Sequence, residues 1–239
     1  MSDGGMVKNI FAFRSMRDFW NKQTSGKLGP GGRDGGNYSL EARELMMFLD
    51  TEKKYNCLEL GCGNGDLHAE MNHLYNKYVG VDFSTSNIAV FQKRYPQARL
   101  LCCDVFEFET EERFDLIHSN HFVQCLSLKQ IECLQKKLLR MCLPGGIIIH
   151  RGFLDRRLKL LYFTGYLYPG IHRRLYRRIL HPFAYRALEL FNKITGTYNQ
   201  LGYWHTRDEI LDIHKRLEVP VEIFSSPIHP NRFNIVLRR

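Results

Sequence analysis

The chain has no apolar run approaching the ~18 residues that a membrane-crossing helix needs. Integral membrane insertion through a helix is therefore not expected. Its first residues hold no apolar stretch followed by a small-residue cleavage site, so the expected location is the cytoplasm. Paired cysteine spacing of the metal-binding kind is also missing. The seven cysteines (Cys57, Cys62, Cys102, Cys103, Cys125, Cys133 and Cys142) are an odd number, and most sit in apolar runs. That suits reduced, buried thiols and predicts neither a disulfide framework nor a metal centre. Acid is scarce in one stretch: from Arg151 to Arg186, nine Lys/Arg accompany a single acid, Asp155. Eight of the nine net positive charges thus belong to that segment.

What is present is an ordinary globular composition, 44% apolar and 25% charged over 239 residues, enough for one full core. The organising stretch is Leu58-Glu59-Leu60-Gly61-Cys62-Gly63-Asn64-Gly65-Asp66. It follows a strand-like run over 55–60 and opens a helical run over 67–75. Glycines at alternate positions let the backbone turn sharply and approach a ligand closely. A second strand, 78–82, ends in Asp82, an acid placed to accept hydrogen bonds from ribose hydroxyls. The loop reads GxGxG rather than GxGxxG. Two acids, Glu59 and Asp66, flank it, which suits a ligand bearing positive charge rather than a pyrophosphate.

Strand and helix then alternate over 85–94, 98–103, 114–119, 127–142 and 146–151, a pattern for a mostly parallel sheet covered on both faces. Ser39 is the expected cap of an earlier helix reaching about Leu49, with Leu40, Leu45, Met46 and Leu49 inward. Residues 10–21 read as a short helix, and the Gly-rich stretch 24–37 as a loop that either covers the site or merely connects. Thr206 and Glu209 form a capping box for a helix over 207–216. Two closing strands, 221–224 and 233–237, follow.

The loop, Val79–Ser84, Leu100–Phe106, Phe114–Leu126 and Leu143–His150 occur in the order of the class I S-adenosylmethionine-dependent methyltransferases. The chain resembles that family over roughly residues 40–150, and Gly202-Tyr203-Trp204 resembles the approach to its last helix. The resemblance implies a Rossmann-like, doubly wound α/β sheet with an antiparallel edge strand. It implies one domain, comprising an N-terminal region 1–38, a cofactor core 39–151, a basic helical cap 152–204 inserted before the last helix, and a closing unit 205–239. S-adenosylmethionine is the implied cofactor, S-adenosylhomocysteine the product, and no metal is expected. The implied cofactor residues are Glu59, Gly61, Cys62, Gly63, Gly65, Asp82, Phe83, Asp104, Val105 and Ser119. The other reading of Asp104, behind the functional one, is a helix or turn cap.

His121, in the loop after the fourth strand, and His150, at the end of the fifth, are the candidate general bases, since imidazole titrates near neutrality. The loop lacks the Asn/Asp-Pro-Pro-aromatic motif of enzymes that methylate adenine or glutamine nitrogens. It also lacks the acid found after strand four in cyclopropane-forming lipid enzymes. Arg151, Tyr166, Arg173, Arg177 and Trp204 are the candidate acceptor-binding residues. The basic segment suits a small anionic acceptor, and an anionic membrane surface is a second partner for it. Nucleic acid is less favoured because no recognition module accompanies the basic face. RNA or protein methylation, and a non-catalytic scaffold with this fold, are the competing functions.

Overall fold

The computed structural model describes residues 38–163, 167, 187, 190 and 202–239. In chain order the strands are β1 (Tyr55–Leu60), β2 (Tyr75–Asp82), β3 (Arg99–Cys102), β4 (Phe114–Asn120), β5 (Cys142–Asp155), β6 (Trp204–His205), β7 (Glu222–Ser225) and β8 (Arg232–Arg238). They form one sheet in the order β3-β2-β1-β4-β5-β8-β7, with β6 paired separately to β5. The pairs within β3-β2-β1-β4-β5 are parallel, whereas β8 runs antiparallel to both β5 and β7. The order reverses between β1 and β4, so the carboxyl ends of these two strands frame a crevice.

The described helices are α1 (Tyr38–Met46), α2 (Asp66–Met71), α3 (Thr85–Arg94), α4 (Leu128–Met141), α5 (Lys159–Phe163) and α6 (Arg207–Arg216). Side chains of a strand alternate between faces, and here both faces are apolar. Leu58, Ile117, Ile148 and Ile235 enter one core together with Ile131, Leu134 and Leu138 of α4 and Ile210 of α6. Cys57, Leu116, Ile147 and Ile149 enter the other, with Leu45 of α1 and Leu67 and Met71 of α2. Capping boxes begin two of the helices: Ser127 with Gln130 at α4, and Thr206 with Glu209 at α6. The second of these was expected from the sequence.

Three local differences bear on the site. The helical run at 67–75 stops at Met71 and becomes a 3-10 turn, because Tyr75 already pairs with Tyr55 of β1. β5 continues through Leu154 and Asp155, so Leu154 belongs to a strand rather than to a helical cap; β6 and β8 extend the pairing there. In α1 the expected inward Leu40 is 40% exposed, and the buried face carries two carboxylates, Glu41 and Glu44.

Candidate functional site

A cleft opens over the carboxyl ends of β1, β2 and β4. Among its lining residues are Glu59, Gly61, Cys62, Gly63, Asp82 and Phe83 at one end, and Asn120, His121, Phe122 and Gln124 at the other. The first end is built mostly from backbone. The amides of Gly61 and Cys62 both donate to the Val81 carbonyl, at 2.8 and 3.2 Å, which pins the glycine loop to the tip of β2. Asp82 Oδ2 accepts from the Gly63 amide at 2.9 Å, and its Oδ1 accepts from the Ser84 amide at 2.8 Å. Ser84 in turn caps α3. The acid therefore ties the loop to the start of the next helix.

The loop glycines have separate tasks. All three have positive φ. A side chain at Gly61 would strike Phe122, with its Cβ 2.8 Å from the ring, so this glycine brings the loop against the turn after β4. At Gly63 nothing lies within 4 Å, leaving open space above the backbone for a ligand. Gly65 does not line the cleft; a Cβ there would lie 2.6 Å from Phe91, so its role is packing of α2 on α3.

Glu59 lies buried beneath this end and accepts a 2.6 Å hydrogen bond from the Tyr78 hydroxyl. Burial pushes its carboxyl up to about 8, the Tyr78 bond moderates this, and the nearby Asp82 adds to it. Burial also raises Asp82, against the two amide bonds that favour its charge. Two acids poised above their ordinary range, side by side at a cleft, are matched to a cationic ligand. Asp66, also on the lining, is paired to Arg94 at 2.6 Å.

The second end is built from side chains of distant segments. Asn120 and His121 end β4 beside Arg151, the register partner of Asn120 on β5. Glu41 of α1 reaches them from the opposite side. Its Oε2 accepts from Asn120 Nδ2 at 2.5 Å, and its Oε1 sits 3.0 Å from His121 Nε2 and 3.3 Å from His229 Nε2. Burial alone would raise this carboxyl, but the hydrogen bonds from His121 and His229 hold it well below the usual carboxylate range. Arg151, 1% exposed, donates to Asn120 Oδ1 at 2.8 Å and to Glu44, which also accepts from Ser226 and Asn234. Arg232 of β8 donates to Gln124 Oε1 and to the Gly152 carbonyl, both at 2.9 Å, and meets His121 Nδ1 at 3.0 Å.

Glu41, His121 and His229 place one ligand atom each within 4.8 Å of one another, a grouping of the size that holds a metal ion. The wiring around it favours hydrogen bonds instead. A guanidinium offers no lone pair, so the contact with Arg232 favours an unprotonated His121 Nδ1 and a proton on Nε2. A metal-bound imidazole needs the reverse, with its outer nitrogen donating to an acceptor.

Several residues expected at the site lie elsewhere. His150 is fully buried and off the cleft; its Nδ1 meets Ser119 Oγ at 2.8 Å, and burial pushes it down to about 3. Ser119 is likewise buried away from the lining. His118, also fully buried, contacts the Tyr75 hydroxyl. Val105 and Phe83 line the cleft, whereas Asp104 caps its own turn by accepting from the Phe106 amide. Arg151 points inward to Glu44 rather than toward an acceptor. Trp204 pairs with Leu154 in β6, and its ring meets Tyr162 at 5.5 Å, away from the lining. Tyr166, Arg173, Arg177, the Gly-rich stretch 24–37 and most of the basic cap lie outside the described residues. The sequence reading missed Glu41, Glu44, His229, Arg232 and Asn234. They share no motif, and only the fold unites them.

Comparison with known proteins agrees with this geometry. A family model for a methyltransferase domain matches residues 57–146. Phosphoethanolamine N-methyltransferase 3 of Arabidopsis thaliana is 32% identical over 118 residues, covering 46% of this chain and 24% of the relative. Malonyl-[acyl-carrier protein] O-methyltransferase of Bacillus anthracis is 34% identical over 99 residues, covering 38% of this chain and 37% of the relative. The match thus spans about a quarter and a third of these two relatives' lengths. Among solved structures, the N-methyltransferase NodS of Bradyrhizobium japonicum WM9, in complex with S-adenosylhomocysteine, superposes with a TM-score of 0.61 at 14% identity. That superposition covers 93% of this chain and 97% of NodS. Residues 57–146 are thus a methyltransferase domain, and the fold is that of S-adenosylhomocysteine-bound NodS. The cofactor end of the cleft fits S-adenosylmethionine: bare backbone at Gly63, an acid at the tip of β2, apolar Phe83 and Val105, and buried Glu59 suited to positive charge.

Proposed function

We propose that the protein transfers a methyl group from S-adenosylmethionine to an oxygen of a small anionic, lipid-like or sugar-like acceptor. One observation carries this reading. The glycine loop, Asp82 and Glu59 share a single continuous cleft with Asn120, His121 and Phe122, so a cofactor site and an acceptor site adjoin. The loop after β4 lacks the motif of enzymes that methylate adenine or glutamine nitrogens, and the relatives include O- as well as N-methyltransferases; of the two we favour oxygen. The choice of an anionic acceptor rests on the positive segment 151–186.

S-adenosylmethionine supplies an already activated sulfonium methyl. The chain's residues have to bind, align and exclude water. Gly61 and Gly63 bring the loop backbone to the ligand, Asp82 offers its remaining lone pairs to the ribose, and Val105 with Phe83 walls the adenine. Phe122, pressed on Gly61, closes the floor between the two ends. His121 has both ring nitrogens engaged, so in this arrangement it holds the wall of the acceptor end.

Calorimetry with S-adenosylmethionine, S-adenosylhomocysteine and NAD is the first test. Binding of the first two in the micromolar range, about −8 kcal/mol, without NAD supports the reading. A panel of hydroxyl- and carboxylate-bearing anions, assayed for S-adenosylhomocysteine release, then tests the acceptor class. Release only with RNA or protein substrates would overturn it. Binding without turnover on any substrate class would point to a scaffold.

A further inference from the structure

Beyond the cofactor site, the geometry points to Glu41 and Arg232 as positioning residues that hold His121 as a neutral imidazole with its single proton on Nε2. The assignment of this end of the cleft to the acceptor rests on the proposed function; the tautomer does not. Four observations converge. Glu41 Oε1 lies 3.0 Å from His121 Nε2, in a residue 1% exposed, where an ionised carboxylate must be satisfied by donors. Arg232 Nη1 stands 3.0 Å from Nδ1, shares its two hydrogens among that nitrogen, Gln124 Oε1 and the Gly152 carbonyl, and has no lone pair to offer, which disfavours a proton on Nδ1. Gly152, at φ +91°, leaves the space the ring occupies, since a Cβ there would fall 2.6 Å from Nδ1. Finally, His121 itself has φ +56°, a left-handed backbone that costs energy outside glycine and persists only where neighbours impose it. The His121 amide, donating to the Arg151 carbonyl at 2.9 Å, is one such constraint.

The ring is therefore clamped at both nitrogens and beneath its plane, from α1, β5 and β8. None of these elements is adjacent in sequence to the β4 turn. Asn120 is held by the same device, its amide shared between Glu41 and Arg151. Two of the polar residues that the β4 exit contributes to the cleft, Asn120 and His121, are thus fixed from behind. An acceptor would meet them as a rigid wall and not as mobile donors. Clamping of this kind keeps a nucleophile aligned, where misplacement by about 1 Å costs on the order of 100-fold in rate.

The test is a two-bond proton–nitrogen NMR spectrum of the full chain labelled with 15N-histidine and saturated with S-adenosylhomocysteine, with His121 assigned by its loss in His121→Gln. A single Nε2–H tautomer near neutral pH is expected for the wild type. Glu41→Gln and Arg232→Gln should each populate a second tautomer, while S-adenosylhomocysteine affinity changes by less than about threefold, under about 0.7 kcal/mol. An Nδ1–H tautomer or a mixture in the wild type overturns the proposal, and that spectrum decides even if a variant fails to fold. So does an unchanged tautomer in both variants. Displacement of the Nε2 proton by added ZnCl2 would overturn it in favour of a metal site. Failure of the wild type to bind S-adenosylhomocysteine would instead sink the cofactor reading, and the tautomer could still be read without ligand.

Discussion

The two ends of the cleft are built on opposite principles. The cofactor end uses backbone: amides of Gly61, Cys62 and Gly63 on Val81 and Asp82, from two adjoining strand–turn units. The other end uses side chains from α1, β4, β5, the β7–β8 turn and β8, knitted into a buried ionic network. Backbone recognition tolerates variation in side chains and suits a ligand shared by a whole class. A side-chain network must be specified residue by residue, and suits a ligand peculiar to one protein. The matched domain, 57–146, includes the whole cofactor end together with Asn120 and His121, whereas Glu41, Arg151, His229 and Arg232 lie outside it.

The same contrast decides what could be read from sequence. The loop and Asp82 follow the strand–helix rhythm, so spacing placed them at strand ends, and the family resemblance added Val105; all three line the cleft. Gly65 was misplaced because a glycine that accepts Phe91 looks identical in sequence to one that accepts a ligand. In sequence His150 and Arg151 read as a strand's carboxyl end, where sites collect. Yet β5 runs on to Asp155 and pairs with β8 there, so both residues lie buried within the strand, and a linear sequence does not announce that extension. Glu41 and Glu44 were the least legible. Carboxylates on a predicted apolar face read as solvent-facing until Arg151, 107 residues away from Glu44, is seen to reach it.

The largest expected effect breaks the network end. Arg151→Met leaves Glu44 buried without its charge partner, a change that costs about 3–5 kcal/mol. Urea denaturation of the variant should show that loss. The double variant Arg151→Met/Glu44→Leu removes both charges and should recover part of it. A loss below about 1 kcal/mol for the single variant would mean the network holds nothing together, and the contrast between the ends would collapse.

A smaller effect is expected at the backbone end. Asp82→Asn keeps the size of the side chain but sets an amide NH2 against one of the two donors, Gly63 or Ser84, that the carboxylate now accepts. Cofactor binding should weaken by on the order of 1–3 kcal/mol, the range for losing a charged hydrogen-bond partner. Calorimetry with S-adenosylhomocysteine measures it, with the urea midpoint as a control. Unchanged affinity would remove Asp82 from ribose binding.

The third effect is a pH dependence, and it comes from Glu59. Its folded carboxyl titrates near 8 against an ordinary value of 4.5. Between those values the folded protein keeps a proton that the unfolded chain has released. Stability therefore falls as pH rises through that window and levels off above about 8. Glu59→Gln, which can still accept from the Tyr78 hydroxyl, removes this contribution. The melting temperature of the variant should gain on that of the wild type steadily from pH 5 to 8. Cofactor adds a second signature in the wild type alone. A cation beside Glu59 favours the carboxylate, so binding near pH 7 should release a proton, detected as a dependence of calorimetric heat on buffer ionisation enthalpy. Parallel melting curves would show that Glu59 is ionised throughout. Buffer-independent heat, with the melting curves diverging as expected, would place the cofactor's positive charge away from Glu59 while leaving the buried acid as described.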